Sequence, residues 1–121
     1  MDYWMLAAAV LSAILLLAHV IGGGKDVHQP MLSSALSVEL KAYASILWHA
    51  TTALLFVGTG ALLWAAMGWG AGMATAILVQ YLAFAGLFLF YGFTRLKSVW
   101  ILPQWMAFLL ICALGGAGLW F

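Results

Sequence analysis

The chain has 121 residues, of which 68% are hydrophobic and 6% are charged, and its formal net charge is +1. Three acids and four bases cannot form the polar surface that a water-soluble domain of this length needs. The composition excludes a soluble fold and offers no basic surface for nucleic acid, so we expect an integral membrane protein. The single cysteine, Cys112, excludes an intrachain disulfide.

Four apolar runs are long enough to cross the hydrocarbon core of a bilayer, which takes about 20 helical residues. Their hydrophobicity is continuous rather than alternating, which indicates helices and not a barrel. The predicted fold is an all-α bundle of four transmembrane helices that forms one domain over residues 1–121. The predicted spans are residues 3–21, 38–67, 72–93 and 100–121.

The connection between the first two spans is predicted to hold a short interfacial helix. Glycines 22–24 tolerate left-handed backbone and are expected to end the first helix. Pro30 suits a first helical turn, so residues 31–36 are expected to form a short helix in the membrane interface. Ser37 is expected to cap the second span. That span exceeds a ~30 Å core, so we expect it to tilt or overhang, or to break near residues 58–60.

The basic residues predict the orientation. Lys25 and Lys41 flank the first connection, Arg95 and Lys97 lie in the third, and the opposite side has none. Because basic connections stay on the cytoplasmic side, we expect a bacterial inner-membrane protein with both termini in the periplasm.

The three histidines fall in the predicted cytoplasmic half, and an ionisable residue inside a membrane is a functional candidate. Ser12 and His19 are seven residues apart and share a helix face, and His49 has Thr52 on its face. We therefore predict a cytoplasm-facing polar pocket. Its candidate residues are Ser12, His19, Trp48, His49, Thr52, Gln80 and Gln104.

Structural roles are the alternatives for these side chains. His19 can be an interfacial residue bonded to a loop carbonyl, and His49 can hold two helices together by a hydrogen bond. Neutral imidazoles also suit zinc or copper, for which His19, His28 and His49 are the candidates, and His19 and His49 are candidate haem ligands. The chain has no HxxxH or HExxH spacing, so a metal or haem is not the favoured interpretation.

The first half of the chain contains three short motifs: His19-x-x-x-Gly23, Pro30-x-Leu32 and Trp48-His49-x-Thr51-Thr52. They resemble a set of small bacterial inner-membrane proteins with four helices, in which a histidine ends the first helix and a Trp-His pair opens the second. Some of those proteins carry a basic segment before the Trp-His pair, where this chain has Ala44-Ser45-Ile46-Leu47. The resemblance implies a fold and a compartment, not an activity.

Two kinds of function fit the sequence. The first is an accessory or assembly subunit of a larger membrane complex, or a homo-oligomeric membrane component. The alternative is a ligand-, metal- or haem-binding protein or a small transporter that uses the histidine pocket. An enzyme comes third, because no nucleophile–base pair and no paired carboxylates can be identified.

Reporter fusions test the predicted topology. A reporter that is active only in the periplasm is expected to be active after Phe121 and at the Gly70 turn, because the basic connections keep the opposite end in the cytoplasm. Activity of a cytoplasm-specific reporter at either position would contradict this orientation.

Overall fold

The computed structural model describes residues 1–121 and is helical, as predicted, with no β-strand. The helical elements in chain order are α1 Tyr3–Leu17, the π-helical segment Ala18–His28, α2 Gln29–Leu32, α3 Val38–Ala66, α4 Ala71–Thr94 and α5 Gln104–Trp120. The first three elements run on without a break. Three continuous helices, which end at Leu32, Ala66 and Thr94, are therefore long and apolar enough to cross a membrane, and α5 is shorter.

Contrary to the prediction, the first helix does not end at glycines 22–24 but continues to Leu32. The glycines lie inside the π-helical segment, whose i→i+5 hydrogen bonds keep the backbone groups paired. None of the three has a positive φ, so their left-handed tolerance is not used. The prediction of a separate interfacial helix at residues 31–36 is also wrong. Met31 belongs to the last turn of the first helix, and residues 33–37 form the connection to α3.

The helix α3 is unbroken over 29 residues and is about 43 Å long at 1.5 Å per residue. Ser37 caps it as predicted, because its hydroxyl oxygen accepts the Leu40 N–H at 3.2 Å. The alternative prediction of a break near residues 58–60 is wrong. Gly58 is buried against Tyr81 of α4 and lies in regular helix.

The helix α5 begins at Gln104 rather than at residue 100. A residue that precedes proline is disfavoured in the α-helical region, so Pro103 moves the helix start behind it. The Trp105 indole N–H donates to the Val99 carbonyl at 2.8 Å and fastens the connection of residues 95–103 to the helix.

The helix α1 packs against α3 on one side and α5 on the other, while α4 packs mainly against α5 and less closely against α3. The Asp2 N–H donates to the Ala66 carbonyl at 2.8 Å, which joins the N-terminus to the α3–α4 turn at one end of the bundle. Since successive helices alternate in direction, all Lys and Arg residues lie at the opposite end, here called the basic end. They are Lys25, Lys41, Arg95 and Lys97.

Glycines let the helices approach closely near the end of α5. A Cβ on Gly118 would lie 3.0 Å from the backbone nitrogen of Met5, and one on Gly115 would overlap the Leu78 side chain of α4. Gly116 lies between them and faces open space. Because these glycines have no side chain, the neighbouring helices come close enough to make additional dispersion contacts.

A chain of hydrogen bonds joins α1, α3 and α4 in the buried centre. Thr59 donates its one hydroxyl proton to the Leu55 carbonyl at 2.8 Å, so it accepts from Ser12, whose Oγ is 2.8 Å away. Ser12 in turn accepts from the Tyr81 hydroxyl at 2.8 Å. Because every hydroxyl proton has an acceptor, the chain fixes three helices without leaving a hydroxyl unpaired.

We predict that Gly58→Ala lowers the free energy of unfolding by about 1–3 kcal/mol, the usual cost of overpacking a core. A Cβ at Gly58 would overlap the Tyr81 hydroxyl, and the tyrosine is fully buried. Gly60→Ala is the matched control, because a Cβ there meets nothing within 4 Å and alanine favours helix. Unfolding in mixed SDS micelles measures the stability of both variants. Equal unfolding midpoints would contradict the close packing of Gly58 against Tyr81.

Candidate functional site

The bundle contains a cleft of ≈ 540 Å³ in its basic half, to which all four long helices contribute. This volume lies within the range of about 300–1,000 Å³ that is typical of small-molecule sites. Most of the wall is apolar, and several of the side chains are aromatic. The lining residues are Leu15, Ala18, His19, Gly23, Val27, Trp48, Thr51, Leu55, Phe84, Leu87, Phe88, Tyr91, Leu102, Gln104 and Phe108.

The cleft is polar near the basic end and apolar at depth. Gln104 is the first residue of α5, and Tyr91 lies in the last turn of α4, so both line the outer part of the cleft. Phe84 precedes Tyr91 by seven residues, which is about 10 Å along the helix at 1.5 Å per residue. The inner wall is completed by Leu15 and Leu55. An occupant therefore meets hydrogen-bonding groups at one end only.

The Gln104 carboxamide has no hydrogen-bond partner within the chain. Its Oε1 atom is fully buried and is the one buried side-chain polar atom that is left unpaired. Buried polar groups in folded proteins are nearly always paired, so such an atom requires an explanation. Gln104 lines the cleft, so rotation about its terminal side-chain bond can turn the carboxamide toward a molecule there.

His19 is held by α3 through one ring nitrogen. Its Nε2 atom lies 2.9 Å from the Thr52 hydroxyl oxygen and 3.4 Å from the Trp48 carbonyl oxygen. Thr52 also donates to that carbonyl at 3.2 Å within the helix. These contacts orient the imidazole, while Nδ1 makes no hydrogen bond in the chain. The ring therefore has one nitrogen left for a ligand in the cleft.

Trp48 stacks on two imidazoles of the π-helical segment. The ring centroids are 4.0 Å apart for His19 and 5.5 Å apart for His28, with interplanar angles of 22° and 3°. A separation of nine residues is about two and a half turns of an α-helix at 3.6 residues per turn, which would place the histidines on opposite faces. The wider turns of the π-helix bring both to the face that meets α3.

Gly23 provides the space for the indole ring. A Cβ at Gly23 would lie 2.6 Å from the Cη2 atom of Trp48. The two imidazoles that stack on the indole precede and follow Gly23 in the helix, so the indole lies between them. Single-turn π-bulges are frequent at functional sites, and this segment extends over 11 residues.

A second cavity of ≈ 340 Å³ lies beside the first, and Val27, Trp48 and Thr51 line both. His28 lines this second cavity, and its Nε2 atom is 3.1 Å from the Ser45 hydroxyl oxygen. Trp48 is thus part of the wall that the two cavities share.

The structure brings four of the predicted pocket residues together. His19, Trp48 and Gln104 line the cleft, and Thr52 orients His19 from α3. The cleft residues that the sequence analysis missed include Phe84, a member of an aromatic row at residues 84, 88 and 91 of α4. The helical spacing of that row was a usable indication.

The other three predicted residues lie elsewhere. Ser12 belongs to the hydrogen-bond chain of the bundle centre, and Gln80 lines neither cavity. His49 is exposed on the outer face of α3 and touches the edge of the His28 ring, with 5.4 Å between ring centroids. It follows Trp48 by one residue, about 100° around the helix, so it turns away when Trp48 faces inward.

Metal coordination has no ready-made ligand set in the structure. No group of three or more His, Cys, Asp or Glu side chains lies close enough together to hold a metal ion.

Searches against family models, curated proteins and solved structures found no match for the chain.

We expect Gly23→Ala to displace Trp48 and to lower the free energy of unfolding by about 1–3 kcal/mol, because the added methyl group overlaps the indole. Gly24→Ala is the control, since a Cβ there meets nothing within 4 Å. Near-ultraviolet circular dichroism reports the stacked rings, and SDS unfolding reports stability. A wild-type spectrum and midpoint for Gly23→Ala would contradict the described packing.

Proposed function

We propose that the protein is a multi-pass protein of the bacterial inner membrane, in which all four long helices span the bilayer. The outward faces support this proposal, because residues such as Phe56 and Phe90 are 70% and 59% exposed. In water, an apolar surface of this extent would drive association. Even α5, about 26 Å long at 1.5 Å per residue, approaches the thickness of a ~30 Å hydrocarbon core.

The proposed orientation has the basic end in the cytoplasm and both termini in the periplasm. The concentration of all Lys and Arg residues at one end supports it. The helix α3 exceeds the hydrocarbon core by about 13 Å, and its overhang carries Glu39 and Lys41. The cleft then lies in the cytoplasmic leaflet.

In this membrane the protein binds an amphipathic molecule that it takes from the bilayer. The observation that carries this proposal is the unpaired, buried Oε1 atom of Gln104 in the wall of the cleft. An unpaired buried amide costs about 1–3 kcal/mol, and a ligand with a hydroxyl group would remove that cost. The free Nδ1 atom of His19 offers a second hydrogen bond.

The direction of the cleft supports a lipid-like ligand. Its hydrogen-bonding groups lie toward the basic end, and its leucine and phenylalanine walls lie toward the bilayer centre. A lipid of the adjacent leaflet has the same direction, with its polar group outward and its chains inward. Such a molecule enters without turning over and without exposing its chains to water.

A subunit of a larger membrane complex, or of a homo-oligomer, is the second candidate. His49 favours it, because this imidazole faces outward and makes no hydrogen bond within the chain. An imidazole that faces hydrocarbon is costly, and a neighbouring subunit would provide a partner. Co-purification of a second protein at fixed stoichiometry, with no lipid retained in the cleft, would favour this candidate.

Native mass spectrometry of the detergent-extracted protein is expected to show a retained lipid. Leu87→Trp fills the cleft and should lower the retained fraction about tenfold, equivalent to about 1.4 kcal/mol of overpacking. Leu82→Trp is the control, because the two leucines lie on α4 and are 54% and 53% exposed, but only Leu87 lines the cleft. A wild-type protein without lipid, or equal retention in both variants, would refute the proposal.

A further inference from the structure

We infer that the ligand is an anionic lipid whose phosphate group is bound by Arg95 and Lys97 in the connection between α4 and α5. This inference rests on the proposed function and names the chemical class of the ligand. Its three supports are the position of the connection, its uncompensated charge and its fixed backbone.

The connection of residues 95–103 lies over the polar end of the cleft. The N–H groups of Arg95 and Leu96 both donate to the Tyr91 carbonyl, at 2.9 and 3.0 Å, so the connection begins one turn beyond a cleft residue. Its far end contributes Leu102 and leads directly into Gln104, which also line the cleft. A polar group that leaves the cleft at this end therefore emerges at the connection that carries Arg95 and Lys97.

The positive charge of the basic end is concentrated on this connection. Asp26 and Glu39 accompany Lys25 and Lys41 around the first connection, so its formal charge is +2 − 2 = 0. No Asp or Glu occurs anywhere from residue 71 to residue 121, so Arg95 and Lys97 give the other connection a charge of +2. Orientation in the membrane depends on Lys and Arg and little on Asp and Glu, so both connections carry the same orientation signal. Only the second connection has a net positive charge that attracts an anion.

The backbone of this connection is held in one conformation. Lys97 has a φ of 58°, in the left-handed region that residues other than glycine seldom occupy. The Ser98 N–H donates to the Gly92 carbonyl at 2.9 Å, and a Cβ on Gly92 would lie 3.1 Å from the Cα of Val99. Such unusual backbone conformations cluster at binding sites, where the surrounding contacts maintain them.

The chemistry of these groups matches a phospholipid. A guanidinium group binds two phosphate oxygens at once, and an ammonium group adds a point charge. With the phosphate at the connection, the acyl chains enter the apolar part of the cleft, and a hydroxyl group of the head group comes to the level of Gln104, where it can donate to the Oε1 atom. A zwitterionic lipid carries its own ammonium group and gains less from the two cations.

The test uses the full-length protein in vesicles of phosphatidylcholine with equal amounts of phosphatidylglycerol and phosphatidylethanolamine, followed by native mass spectrometry. The wild-type protein should retain mainly phosphatidylglycerol. The double variant Arg95→Gln, Lys97→Asn should lower this preference about thirtyfold, at about 1 kcal/mol for each basic side chain. Asparagine is chosen at position 97 because it tolerates left-handed backbone.

The matched control is Lys25→Gln, Lys41→Gln, which removes the same charge from the other connection and should keep the preference. Equal loss in both double variants would show a general surface potential and overturn the inference. Equal retention of the two lipids by the wild-type protein would also overturn it, without any variant having to fold. In that case, lipid retention that Leu87→Trp still lowers about tenfold would leave the proposed function standing, whereas no lipid at all would refute both.

Discussion

The insertion of Trp48 between His19 and His28 is the packing constraint on which the basic half of the bundle depends. In a regular α-helix the two histidines would face opposite sides, because nine residues are about two and a half turns. The π-helical segment widens the turn, and Gly23 leaves room for the indole. The ring then becomes part of the wall shared by two cavities. A change in the hydrogen-bonding pattern of one helix thus decides whether a cleft forms against the next.

The centre and the basic half of the bundle differ in whether their buried polar atoms have hydrogen-bond partners. In the central chain that ends at Thr59, each hydroxyl proton has an acceptor, and both Ser12 and Tyr81 are excluded from the surface. This arrangement fixes three helices and has nothing left to offer a ligand. Gln104 is only partly buried, and its Oε1 atom, which is fully buried, has no partner. The two regions therefore differ in whether the chain itself satisfies its buried polar atoms.

The two connections at the basic end differ in their net charge. The first connection balances its own charges, whereas Arg95 and Lys97 have no carboxylate on their half of the chain. The proline that delays the start of α5 also lengthens the connection that carries these two cations. Helix boundaries, cleft and charge distribution are therefore linked through a few residues of irregular backbone.

The sequence by itself determined the all-helical class, the approximate limits of α3 and α4, and the end at which the basic residues gather. These properties follow from continuous hydrophobicity and from charge, which act locally along the chain. It also identified His19, Trp48 and Gln104 as candidates. Only the tertiary structure decided that glycines 22–24 continue a helix, in which the space beside Gly23 is filled by an indole from α3. The same holds for Ser12 and His49, since the periodicity of one helix cannot tell which neighbour its polar face will meet.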